Sequence, residues 1–158
     1  MRILILLLFI TLSALSAQGQ TIVKSFEAAE QQSIDILEIE EGYGDALNSN
    51  PEYCVFEGRQ TDFIDSYRKL ISDISSHLVS NGFLFDGDTR MFTRIYFDTD
   101  GFIEHYYYSS KQAGFSLEQE EQFNSLLEPF LSSYKFNQKA DKPYAQCSPV
   151  VFAAPTGK

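Results

Sequence analysis

The chain has no tryptophan, two histidines, two cysteines, and 12 Lys and Arg against 22 Asp and Glu. Each scarcity closes off a class of chemistry. His77 and His105 are too far apart for a His-Glu-x-x-His zinc pair, and Cys54 and Cys147 cannot make a Cys-x-x-Cys motif. The nearest thing to a nucleophile elbow, Gly114-Phe115-Ser116-Leu117-Glu118, lacks the final glycine. No glycine-rich phosphate loop is present. A formal charge of −10 repels phosphate backbones and anionic lipid surfaces, so nucleic acid is a poor partner. No internal repeat or low-complexity tract interrupts the chain. The expectation is a protein that is not an enzyme, with no cofactor and no metal.

The one long apolar run lies at the start. Arg2 is the only charge before Lys24, and it precedes Ile3 to Ile10 and then the small and polar residues Ser16 to Gln20. A basic start, an apolar stretch and a small-residue exit make a secretory signal peptide over 1–19. The run is shorter than the roughly 20 apolar residues of a spanning helix. No cysteine follows it directly, which argues against a lipid anchor. The expected location is the periplasm or the secreted medium, with no stable membrane insertion after cleavage. Loss of Arg2 would leave 11 basic against 22 acidic residues, near −11. In an oxidising compartment Cys54 and Cys147 either pair or stay as buried thiols, and spacing leaves both open.

About 140 residues then remain, enough for one domain with a real core. Residues 20–52 read as an acidic lead-in segment, with helix and strand signals mixed around Ile34, Ile36 and Ile39 and a loop at Asn48-Ser49-Asn50-Pro51. The domain itself is placed at 53–158. Phe63, Tyr67, Leu70, Ile74 and Leu78, flanked by Ile64 and Ile71, form an apolar stripe of helical period, closed by Asn81-Gly82. Residues 91–97 and 102–108 are strands around Asp98-Thr99-Asp100-Gly101, where Asp-Gly predicts a two-residue turn. That register sets Met91, Thr93, Ile95 and Phe97 with Phe102, Glu104, Tyr106 and Tyr108 on the core face, Glu104 being the misfit. Ser116 with Gln119 is a capping box opening a second helix that buries Leu117, Phe123, Leu126, Leu127, Phe130 and Leu131, and Pro129 should kink or end it. Tyr144 to Phe152 is a last strand, and Pro149 places it at an edge or bulge. The expected fold class is α+β in the order helix-strand-strand-helix-strand, a three-stranded antiparallel sheet packed by two helices.

Few residues suggest a site. Asp98 and Asp100 fail as a calcium loop, because Phe102 stands where the EF-hand needs an oxygen ligand and Ser109 where it needs Glu. Arg94, His105 and Tyr107 share the face opposite the core and form a candidate surface patch. Glu104, His105 and the Tyr106-Tyr107-Tyr108 run support an alternative, a secreted small-ligand binder or hydrolase.

From Phe56 to Phe152 the pattern resembles the C-terminal domain of TonB, in the stand-alone form of Bacteroidetes-type bacteria. Phe56-Glu57-Gly58 before the first helix is similar to the family's aromatic-x-Gly-Gly start. Ile95 to Ile103 follows its strand, Asp-Gly turn and strand. Lys142-Pro143 and Pro149-Val150-Val151-Phe152 resemble its Gly-Lys-Pro and Pro-x-x-Phe ending. Arg59 and Asp141 stand where the family has glycine, and the Tyr-Pro after the first helix is missing. The resemblance implies binding of a protein or peptide by strand addition at a sheet edge. Without a membrane anchor and a long proline-rich spacer, it implies no energy transduction by this chain alone. The candidate edge is the last strand, with Tyr144, Gln146, Ser148, Val150 and Phe152 as the candidate partner-binding residues.

Overall fold

A computed structural model describes residues 19–153; the signal-peptide reading therefore falls almost wholly outside the described residues. The elements, in chain order, are β1 (Ile22–Ser25), α1 (Phe26–Gln31), α2 (Ile36–Glu40), β2 (Gly44–Asp45), a 3-10 turn (Pro51–Tyr53), α3 (Gln60–Ser80), β3 (Thr89–Phe97), β4 (Ile103–Tyr108), α4 (Ser110–Ala113), α5 (Leu117–Ser133) and β5 (Tyr144–Phe152). The strand order is β1-β4-β3-β5-β2. The expected three-stranded antiparallel sheet is thus corrected to a five-stranded mixed one. β3 pairs antiparallel with β4 and β5, while β1 and β2 join parallel to β4 and β5. Both added strands come from residues 20–52. They are four and two residues long, too short to show a period, and parallel pairing gives no turn signal to read.

Helix α3 forms where its stripe predicts. Phe63, Leu70, Ile74 and Leu78 are fully buried, and Gly82 leaves the helix at φ 84°, which suits a residue without Cβ. Helix α5 starts with the Ser116–Gln119 capping box and buries Phe123, Leu127 and Leu131, but Leu117 is 82 % exposed. Pro129 does not end it: the helix runs on to Ser133. Both helices pack on one face of the sheet around Met91, Ile95, Phe97, Tyr106 and Tyr108. His77 ties them together, its Nε2 lying 3.0 Å from the Leu126 carbonyl and its ring stacked on Phe130 at 4.3 Å.

The hairpin departs from the expected turn in two steps that cancel. The Asp98 N–H donates to the Phe102 carbonyl at 2.9 Å, so the loop has three residues, and only Gly101 takes positive φ. Asp98 Oδ1 accepts from the Asp100 and Phe102 N–H groups, which fixes the turn from inside. A side chain at Gly101 would meet the Phe136 carbonyl at 2.3 Å, so glycine is required there. The odd loop would flip every later side chain, but a bulge follows, since Phe97 pairs with Ile103 and Tyr96 with His105. Glu104 is the extra residue. Ile103 enters the core in its place and Glu104 stays in water, while Tyr106 and Tyr108 keep the faces expected of them.

The other face of the sheet is covered as well. Phe26, Ile34, Ile36, Ile39 and Tyr43 pack on Tyr96, Tyr107, Ala29 and Ala145. Ser25 and Asp35 cap α1 and α2, which keeps these short helices in place. Glu27 adds an anchor, its carboxylate accepting from Ser109 Oγ and from the Ser110 and Lys111 N–H groups at the start of α4. The sheet lies between a thick helical layer and a thin strap. No helix among the described residues is long and apolar enough to cross a membrane.

Candidate functional site

Strand β5 has nine residues, and β2 covers two of them, pairing Gly44 with Tyr144 and Asp45 with Ala145. The Ala46 N–H donates to the Ala145 carbonyl at 2.9 Å, so the backbone of Ala145 faces β2. Strand alternation turns Cys147, Pro149 and Val151 the same way. Past Ala145, no described strand pairs with that margin.

Proline fits at 149 for the same reason. Its partner in β3 is Phe92, whose N–H and C=O turn away from β5, to Gln112 Oε1 at 2.6 Å and to the Ser109 N–H at 3.0 Å. The Phe92–Pro149 pair exchanges no ladder bond, so a missing N–H leaves nothing inside unsatisfied. The margin therefore offers the Cys147 and Val151 N–H groups and the carbonyls of Cys147, Pro149 and Val151. One carbonyl is taken: Gln146 Nε2 donates to the Cys147 oxygen at 2.8 Å, while Gln146 Oε1 is buried without a partner.

Beside this margin runs a groove of about 380 Å3 between β5 and α3, walled by Leu47, Ile64, Tyr67, Arg68, Ile71 and Val150. Its floor is polar at one point, where Tyr67 Oη lies 2.7 Å from Ser148 Oγ and 3.4 Å from Thr93 Oγ1. Burial raises the Tyr67 pKa, against those two hydrogen bonds, and keeps the phenol neutral. Of the five candidate edge residues, Tyr144, Val150 and Phe152 are buried in the core, and Gln146 and Ser148 are half-buried beside α3. The residues whose backbone faces outward are the alternate set, Cys147, Pro149 and Val151. Reading side chains alone points to one set of positions; reading backbone direction points to the other.

Of Arg94, His105 and Tyr107, Tyr107 lies under the strap, while Arg94 and His105 are half-buried beside it. Tyr107 is 1 % exposed and stacks on Phe26 at 6.1 Å and on His105 at 5.9 Å. Arg94 gives Nε to Cys147 Sγ at 2.9 Å and Nη1 to Glu40 at 3.1 Å. Burial pushes the Cys147 thiol up, with Arg94 opposing only in part. Burial lowers the His105 imidazole, with Glu104 opposing, so the ring is neutral at pH 7. Tyr96, beside them, is pushed up to about 12 by burial. Cys54 and Cys147 are both free thiols; Cys54 Sγ points at the Ala46 carbonyl at 3.6 Å.

Glu104 and His105 also line an open cleft of about 430 Å3 with Asp98, Asp100, Phe102 and Ile22. Tyr43 Oη donates to Glu104 at 2.6 Å, and Asp100 is paired with Lys139 at 2.6 Å. Tyr106 and Tyr108 face the opposite side of the sheet, in the core, so the tyrosine run does not converge on this cleft. Among the described residues no group of three or more His, Cys, Asp or Glu is placed to hold a metal ion. No family model matches the chain, and neither a curated protein nor a solved structure matches it.

Proposed function

We propose that the chain is a non-enzymatic, exported interaction domain that takes up an extended segment of another polypeptide as an added strand along β5. The observation that carries this reading is the unpaired margin at Cys147, Pro149 and Val151 lying beside the groove under α3. Main-chain hydrogen bonds give attraction there, and alternate side chains of the visitor enter the groove. An incoming N–H that reaches the Cys147 carbonyl displaces the Gln146 amide, which then returns to water with its unpaired oxygen. The similarity of Phe56–Phe152 to the TonB C-terminal domain supports the same binding mode.

Val151→Pro tests it. This change removes an outward donor and leaves the ladder with β3 intact, whereas proline at Val150 would strike an inward N–H and the core. Partner recovery from envelope extracts of the source cells should fall at least tenfold for Val151→Pro, with unchanged circular dichroism. Equal recovery by the two proteins counts against strand addition.

The cleft at Glu104 and His105 supports a second reading, a small-ligand site. A thermal-shift screen with Glu104→Gln and His105→Ala addresses it: a ligand whose stabilisation both changes abolish would favour this reading over the first.

A further inference from the structure

The wall of the groove specifies more than an extended visitor. Ile64, Arg68 and Ile71 follow one another on the exposed side of α3, three and four residues apart, so they form a single row. Arg68 is the one charged side chain lining the groove. Its side chain is 76 % exposed, and its only partner among the described contacts is Asp65 at 3.3 Å, on the same helix and itself 68 % exposed. Such a pair exchanges readily with water and holds its arginine weakly. Helical rise sets Ile64 and Ile71 about 10 Å apart. Three successive inward side chains of a strand span about 13 Å, so the row is of comparable length to three such positions.

Resting on the strand-addition reading, we infer that the segment this groove selects carries an acidic residue flanked two positions away on each side by aliphatic residues. The aliphatic side chains lie against Ile64 and Ile71, with Leu47 and Val150 adding apolar lining. The carboxylate meets the Arg68 guanidinium, which has two donors to spare for a planar oxygen pair. The pattern reads the same in both chain directions, so it holds for a parallel or an antiparallel visitor. The acidic charge of the domain as a whole works against any acidic ligand. Arg68 therefore selects by local contact and not by long-range steering.

The probe is the acetylated, amidated heptapeptide Ser-Ile-Thr-Glu-Thr-Ile-Ser, compared with versions holding glutamine or lysine at the centre. Binding is read by titration calorimetry and by amide exchange of Cys147 and Val151. The glutamate peptide should bind about fivefold more tightly than the lysine peptide, with glutamine between them, and Arg68→Glu should reverse that order. Arg68 is exposed, so the variant keeps the fold. If all three peptides protect the Cys147 and Val151 amides equally, the acidic preference is overturned and strand addition stands. If none protects those amides at millimolar peptide, strand addition falls, and this inference with it.

Discussion

The two margins of the sheet are finished in opposite ways. At β1 the backbone and side chains are tied to α5: the Thr21 N–H donates to Ser132 Oγ at 3.0 Å, Gln20 to Glu128, and Ser25 Oγ to Glu120. Thr21 Oγ1 also donates to the Ile103 carbonyl at 2.6 Å, binding the start of the strand to β4. At β5 the covering strand stops after two residues, and what protects the remainder is a proline and one glutamine side chain. An unpaired edge invites association with other chains, and proteins normally blunt it. Here one margin is tied to a helix by three hydrogen bonds while the other is only lightly guarded, and that contrast motivates the strand-addition proposal.

The sharpest way to break this contrast is to place the same change at both margins. Val23 is 6 % exposed on β1 and Val151 is 50 % exposed on β5. Val23→Asp should cost about 3 kcal/mol in urea unfolding, since it buries a carboxylate among Phe and Tyr side chains. Val151→Asp should stay within about 0.5 kcal/mol of wild type. Similar losses at both sites would erase the distinction between the margins.

A smaller effect concerns the strap. Burial acts to raise the Glu27 carboxyl, and its own backbone N–H together with the Lys111, Ser109 and Ser110 donors outweigh it, leaving it below its ordinary 4.5. Its contribution is then complete above that value and lost as pH falls through the lowered one. Glu27→Gln should lose about 1 kcal/mol at pH 7. The gap to wild type should narrow as pH falls below 4.5, in thermal unfolding. A gap that widens there would show that the carboxylate is not the anchor.

What could be read from the sequence divides along the same line as the fold. Helix α3, helix α5, the hairpin strands and β5 each carry a period long enough to count. The strap does not: Ile34, Ile36 and Ile39 fit a helix or a strand, and their burial is decided by Tyr96, Tyr107 and Ala145, far away in the chain. The same contact hides Tyr107 and leaves Arg94 and His105 half-buried, where a three-stranded sheet would have left all three on the surface. Glu104 signalled its irregularity as a charge among apolar neighbours, although the bulge that explains it depends on the loop length. At the candidate site, Pro149 pointed to an edge or a bulge; β5 pairs with β3 without a register shift, and its other side is covered by β2 only as far as Ala145. The choice between even and odd positions needed the two hydrogen bonds that Gly44 and Ala46 donate to Pro143 and Ala145, which no pattern announces.

The parallel partnership of β1 with β4 also sets a timetable. Ile22–Ser25 leaves the ribosome early and has no neighbour to lie against until Tyr108 has been made, whereas β3 and β4 meet as soon as their turn is complete. Long-range closure of this kind is slow compared with a hairpin. The first strand to be synthesised is therefore among the last to be fastened.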